Sequence, residues 1–311
     1  MDPITHCLVG GLVAKTVKAP RRRFWILIFL GEAPDLDVFF SSFGPWAFWL
    51  QHRGITHSFF GAAVQTLLYA WAFSRIDPGP LKVRLGQYFL PLFLHTCCDY
   101  LTSYGTPLFS PFSFKEYVGN LVPAVTVIPL AFMLAGLLYI HAKKTEGWRA
   151  TRPLWMAWAV YLSLALASRS YAAQFVKDEP GKITLVSGLV SPVTWTAVVE
   201  RDPCCAYQAF WINVLKRQRK TGPAVSTPMD SFPIQASLKS PVTRRVVASI
   251  RWPVARAVPL PEGGWRVDWG KMLFSSRGMV RSLWSVEISS AGAIGGEKRM
   301  FGFWSPNEKK S

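Results

Sequence analysis

Leu85–Tyr104, LGQYFLPLFLHTCCDYLTSY, is the stretch on which the reading of this chain turns. It holds no Lys, Arg or Glu and a single acid, Asp99. As a helix rising about 1.5 Å per residue it matches the roughly 30 Å apolar core of a bilayer, and so predicts a membrane span. His95 and Asp99 stand four residues apart within it and therefore share one helix face. An ionisable pair in so apolar a segment is costly to keep and points to a functional site.

Further apolar stretches flank this one: Ile4–Val17, Phe24–Phe40, Thr56–Trp71, Leu121–Ile140 and Pro153–Ala167. Five or six helices are expected, Ile4–Val17 being short for a full crossing. Segments 15–23, 75–84 and 143–152 carry five, three and four Lys or Arg, whereas 41–56 and 104–119 carry only Arg53 and Lys115. The bias of basic residues toward cytoplasmic loops puts the first three inside and everything after Arg169 outside.

Composition agrees with a membrane part followed by a different one. The 311 residues are 50% hydrophobic, 14% aromatic and 17% charged, where soluble domains carry about 25% charged. Such aromatic content excludes disorder, and 23 Gly with 23 Pro exclude a coiled coil. The net charge is +17, with 15 basic and 8 acidic residues in 1–172 against 20 and 10 in 173–311. The basic run Lys216–Lys220 has no interleaved aromatics, so nucleic acid is not an expected partner.

The expected fold class is mainly α: a polytopic membrane helix bundle in 1–172, then a small β-rich soluble domain in 173–311. Strands are expected at Ile183–Val190, Trp195–Val199, Tyr207–Asn213, Arg245–Ile250, Trp265–Trp269 and Leu283–Ile288, with an exposed linker near 214–240. Five cysteines, among them the adjacent pairs Cys97-Cys98 and Cys204-Cys205, do not make a disulfide framework.

With orientation set by Lys and Arg alone, His6, Asp35, Asp37, His52, His57, His95 and Asp99 all fall on the outer side. Asp2-Pro3 reads as the cap and first turn ahead of His6. Pro34 breaks its helix so that Asp35 and Asp37 point one way, and Gly54 allows a turn after which Thr56 caps the next helix. Imidazole with carboxylate suits Zn²⁺ first, then Mn²⁺ or Fe²⁺, as one or two ions. Asp37 or Glu32 is the candidate general base and Arg53 the contact for an anionic substrate.

The chemistry expected is metal-dependent hydrolysis of a phosphoester or ester in a lipid-like or membrane-associated substrate, at the extracytoplasmic face of the membrane. The alternative is a non-enzymatic metal-binding transporter or envelope scaffold. Transport is disfavoured because the opposite side offers only Asp77, and His141 lies away from the cluster.

Met1–His6, Ala33–Asp37, His52–Ser58 and His95-x3-Asp99, followed by Leu101–Thr106 and Ser110–Ser113, resemble the YdjM/YbcI-like family of bacterial inner-membrane metal-dependent hydrolases. The resemblance covers roughly residues 1–170 and implies that His6, Asp35, Asp37, His52, His57, His95 and Asp99 are the family's polar positions. Lys115–Asn120 departs from it, standing where an acidic island is expected.

Overall fold

The carboxylate of Asp2 accepts hydrogen bonds from the backbone N–H and the hydroxyl of Thr5, at 2.9 and 2.6 Å. With Pro3 in its first turn, this starts α1 (Pro3–Thr16) as its residues dictate. The computed structural model describes residues 1–43, 54–113, 115–123, 125–188, 192–202, 206–272 and 280–304. They divide into a unit of Met1–Tyr171 with Val186–Thr194 and a unit of Ala172–Leu185 with Trp195–Ser311.

In the first unit α1 is followed by α2 (Arg21–Glu32), α3 (Phe59–Ala72), α4 (Leu81–Tyr100), α5 (Val127–Ala142) and α6 (Trp148–Gln174). A 3-10 segment, Ala33–Phe43, continues α2, and a short 3-10 turn, Ile55–His57, precedes α3. Two apolar clusters hold these helices. Leu27, Leu30, Tyr88 and Leu92 are fully buried in one, Leu12, Val122 and Met133 in the other. Each such aliphatic side chain contributes about 1.5–3 kcal/mol on burial.

Two glycines set how closely the first helices meet. A Cβ on Gly10 would stand 2.3 Å from the Leu27 carbonyl oxygen, and one on Gly31 2.3 Å from that of His6. The pairings 10 with 27 and 31 with 6 run α1 antiparallel to α2. Arg23 bonds Gln87 and Gly31 bonds His95, so α2 and α4 run parallel with a constant offset.

The polytopic bundle expected from hydropathy is corrected here: no helix of the described residues is long and apolar enough to cross a membrane. The 14 residues of α1 and of α3 and the 12 of α2 reach only about 18–21 Å. Phe24–Phe40 is not one rod, because the chain leaves the α-helix after Glu32, at Ala33-Pro34. Likewise α5 starts at Val127 rather than Leu121. Helix α4 has 20 residues but includes Lys82, Arg84 and Asp99, and the 27 of α6 include Arg149, Arg152 and Arg169. Apolar side chains nonetheless face outward on three helices: Leu67 and Trp71 on α3, Leu138 on α5, Val160 and Leu164 on α6. An exposed apolar surface of this kind marks a contact face.

The second unit contains two four-stranded sheets, in order β1 (Lys182–Ser187), β2 (Thr194–Asp202), β3 (Ala206–Asn213), β4 (Gln218–Ser226), and β5 (Pro253–Pro259), β6 (Trp265–Met272), β7 (Val280–Ile288), β8 (Ile294–Trp304). Pairing is antiparallel from β3 to β4 and throughout the second sheet. Between the sheets lie α7 (Phe232–Ser237) and α8 (Pro241–Ser249). Most of 214–240, expected as linker, is therefore β4 and α7. Of Arg245–Ile250, expected as a strand, Arg245–Ser249 belong to α8. The Ser240 hydroxyl accepts from the N–H groups of Val242 and Thr243 at 3.1 Å, and this cap overrides the β-branched run.

Candidate metal centre

His6 comes from α1, Asp35 and Asp37 from the 3-10 continuation of α2, His57 from the turn before α3, and His95 and Asp99 from the last turns of α4. The structure brings these six together. His52 and Arg53 lie outside the described residues, and His141 is exposed on α5. One ligand atom from each of Asp35, His57, His95 and Asp99 lies within 4.8 Å of the other three.

The two rings at the heart of the site are fixed through their Nδ1 atoms. His95 Nδ1 lies 2.7 Å from the carbonyl oxygen of Gly31. A carbonyl only accepts, so Nδ1 carries a proton. Burial, first, and the neighbouring imidazoles of His6 and His57 push the His95 pKa well below the ordinary value, so the ring is neutral. Its Nε2 is then a bare lone pair, buried and without a hydrogen-bond partner among the described residues, 3.8 Å from both Asp35 Oδ1 and Asp99 Oδ2.

At His57 the Thr56 hydroxyl donates to Asp37 Oδ2 at 2.8 Å, which uses its one proton. Nδ1 of His57, 3.0 Å from that hydroxyl and 3.3 Å from Asp37 Oδ2, is accordingly the protonated nitrogen. Nε2 faces Asp35 Oδ1 at 3.0 Å and Asp99 Oδ2 at 3.5 Å. Burial alone would lower this pKa, but the hydrogen bonds to Asp35 and Asp37 outweigh it and raise it. Asp35 is held at about 2, its burial being outweighed first by the His57 hydrogen bond. Carbonyl or carboxylate on one ring nitrogen with the other aimed inward is the arrangement that orients metal-ligating histidines.

The bare His95 Nε2 and the carboxylate oxygens of Asp35 and Asp99, 3.8 Å away, repel unless a cation lies between them. Tetrahedral coordination with bonds of ~2.1 Å would space its donors ~3.4 Å apart, close to what is found here. Two nitrogens and two carboxylates suit Zn²⁺, Mn²⁺ or Fe²⁺. The donor set fits a divalent ion.

Around these four, His6 stacks on His95 with ring centroids 3.8 Å apart, and its Nε2 lies 3.4 Å from Asp99 Oδ1. The Met1 ammonium also bonds Asp99 Oδ1. Glu32, half-buried, has an Oε2 with no hydrogen-bond partner among the described residues. Burial, then repulsion from Asp35, lifts its pKa to about 7.

Sequence reasoning missed Gly31, whose carbonyl sets the His95 tautomer. Its place beside Glu32 was the available signal, since its contact with Gly10 exists only in the fold. Thr56, expected as a helix cap, instead holds Asp37. The cap of α3 is Ser58, whose Oγ accepts from the Gly61 N–H at 2.9 Å. Asp77, expected to stand alone, accepts both nitrogens of a fork from Arg23, at 2.6 and 2.9 Å.

Residues 1–176 match the family model described as YdjM inner membrane protein. No curated protein and no solved structure gives a match.

Proposed function

We propose that this chain, which belongs to the YdjM inner membrane protein family, is a metal-dependent hydrolase. Its substrate in this reading is a lipid-like or membrane-associated ester, with a phosphoester favoured. The observation that carries the reading is the buried, bare His95 Nε2 opposite Asp35 and Asp99.

A divalent ion at Asp35, His57, His95 and Asp99 would supply Lewis acidity and make water nucleophilic near pH 7. Asp35 is the access point, since its side chain is 18% exposed while those of His57, His95 and Asp99 are sealed. Glu32 is the general base: at a pKa of about 7 it is poised to take a proton from water and return it to the leaving alcohol. Asp37 orients His57. Arg53 meets the anionic group of the substrate. The outward apolar residues of α3, α5 and α6 support a substrate that arrives from lipid.

The test uses the full chain loaded with Zn²⁺ or Mn²⁺ against chromogenic phosphoesters and lipid esters. Turnover is expected, and Glu32→Gln lowers kcat while leaving bound metal unchanged. Bound metal without turnover on any of these substrates sinks the hydrolase reading. The burial of five of the six clustered residues favours a second reading, a metal-binding transporter or envelope scaffold. That reading predicts uptake of metal into vesicles, or a metal-dependent melting temperature, with no hydrolysis.

A further inference from the structure

The stacking of His6 on His95 decides how many ions the centre takes. The rings are 3.8 Å apart at their centroids and 23° from parallel. An imidazole binds a metal in the plane of its ring. An ion in the plane of His95 therefore lies a full stacking distance from the plane of His6, and the His6 lone pair cannot reach it. Nor does His6 belong to the set of donors within 4.8 Å of one another. Yet His6 is completely buried, and neither ring nitrogen has a hydrogen-bond partner among the described residues.

Asp99 divides its two oxygens accordingly. Oδ2 faces His57 Nε2 at 3.5 Å and His95 Nε2 at 3.8 Å, while Oδ1 faces His6 Nε2 at 3.4 Å. Oδ1 already carries a cation, the Met1 ammonium.

We propose that the centre is binuclear, with Asp99 as the bridging carboxylate. The first ion takes Asp35, His57, His95 and Asp99 Oδ2. The second takes His6 Nε2 and Asp99 Oδ1, displacing the ammonium. Stacked rings aim their in-plane lone pairs along two different planes, which one ion cannot meet and a pair of ions, as in two-metal phosphoester enzymes, can. The second ion has few protein donors and is the weaker one. Its coordination is completed by water or by the oxygens of a phosphoester, as hard cations at phosphate sites commonly are. The inference rests on the metal-dependent reading above and narrows its substrate class to phosphoesters.

Titration of the metal-free full chain with Mn²⁺ alone, followed by elemental analysis and electron paramagnetic resonance, tests it without reference to activity. Wild type is expected to bind two Mn²⁺ in succession and to show the spectrum of an exchange-coupled pair at saturation. His6→Ala binds one, with an isolated six-line signal, and retains the affinity of the first site. His6→Gln, which keeps the side-chain volume, carries the same expectation should the alanine variant not fold. One Mn²⁺ in wild type, two in either folded His6 variant, or none in both overturns the binuclear assignment. No Mn²⁺ in wild type removes the metal-dependent reading with it, so the two failures are distinguishable.

Discussion

Two buried polar clusters lie along the same parallel pair of helices, α2 and α4, about 12 Å apart by their eight-residue separation. At one end Arg23 grips Asp77 with two nitrogens, at 2.6 and 2.9 Å, and gives a third to Gln87 at 2.9 Å. The Tyr88 hydroxyl donates to Asp77 at 2.8 Å, and Arg84 donates to the Asp77 backbone carbonyl at 2.8 Å. Every oxygen of that carboxylate meets a donor. At the other end, His57 Nε2 bonds Asp35 Oδ1 at 3.0 Å, but His95 Nε2 faces Asp35 and Asp99 at 3.8 Å with its ring proton committed to Gly31 on the opposite nitrogen. The Asp77 carboxylate is fully met within the protein and serves the fold. The second cluster opposes one bare nitrogen, His95 Nε2, to two carboxylates, which is how a buried cation site looks from the protein side. Charge burial alone does not separate structure from function. The match of donors to acceptors does.

Breaking each cluster should therefore fail differently. The largest effect belongs to Asp77→Ala, which strands a buried Arg23 and should cost about 3–5 kcal/mol in denaturant unfolding. Its metal affinity should stay unchanged, and a parallel loss of metal would collapse the distinction. Asp99→Ala should invert that result, with metal affinity in calorimetric titration down by at least about 100-fold and a much smaller change in metal-free stability. If it unfolds the chain as Asp77→Ala does, the cluster is structural.

A smaller effect sharpens the picture around His57. Asp37→Asn keeps the shape but weakens the acceptor at Nδ1, and metal should bind about 10–100-fold less tightly with unchanged stoichiometry.

The gentlest probe is pH. The raised His57 pKa means its proton stabilises the metal-free fold fully below the ordinary histidine value of about 6.5. That contribution is lost as pH rises through the raised value. Metal must displace the same proton, so affinity should strengthen by up to about tenfold per pH unit across that window. Melting curves with and without Mn²⁺ should consequently shift in opposite directions as pH rises. Parallel shifts would mean that His57 is no ligand.

Much of the site was legible in the chain. Asp2-Pro3 read as a helix start and is one. His95 and Asp99 share a face because four residues nearly complete a turn. The islands at His6, Asp35, Asp37 and His57 were expected to meet, and they do. The membrane bundle was misread because summed hydropathy ignores where a helix ends. Phe24–Phe40 looks continuous until Ala33-Pro34 turns the backbone, and no described helix remains long and apolar enough to span. Arg245–Ile250 failed for the converse reason: a cap at Ser240 outweighed side chains that favour strands.

Residue chemistry and spacing alone determined which groups could bind an ion, since imidazoles and carboxylates are named by the chain itself. Only the folded arrangement decided which nitrogen of each ring was left bare. That choice depends on the acceptor met by the opposite nitrogen, and for His95 this is a carbonyl 64 residues away, brought close by the parallel packing of α2 and α4. A tautomer is set by its neighbours in space, and local sequence does not contain them.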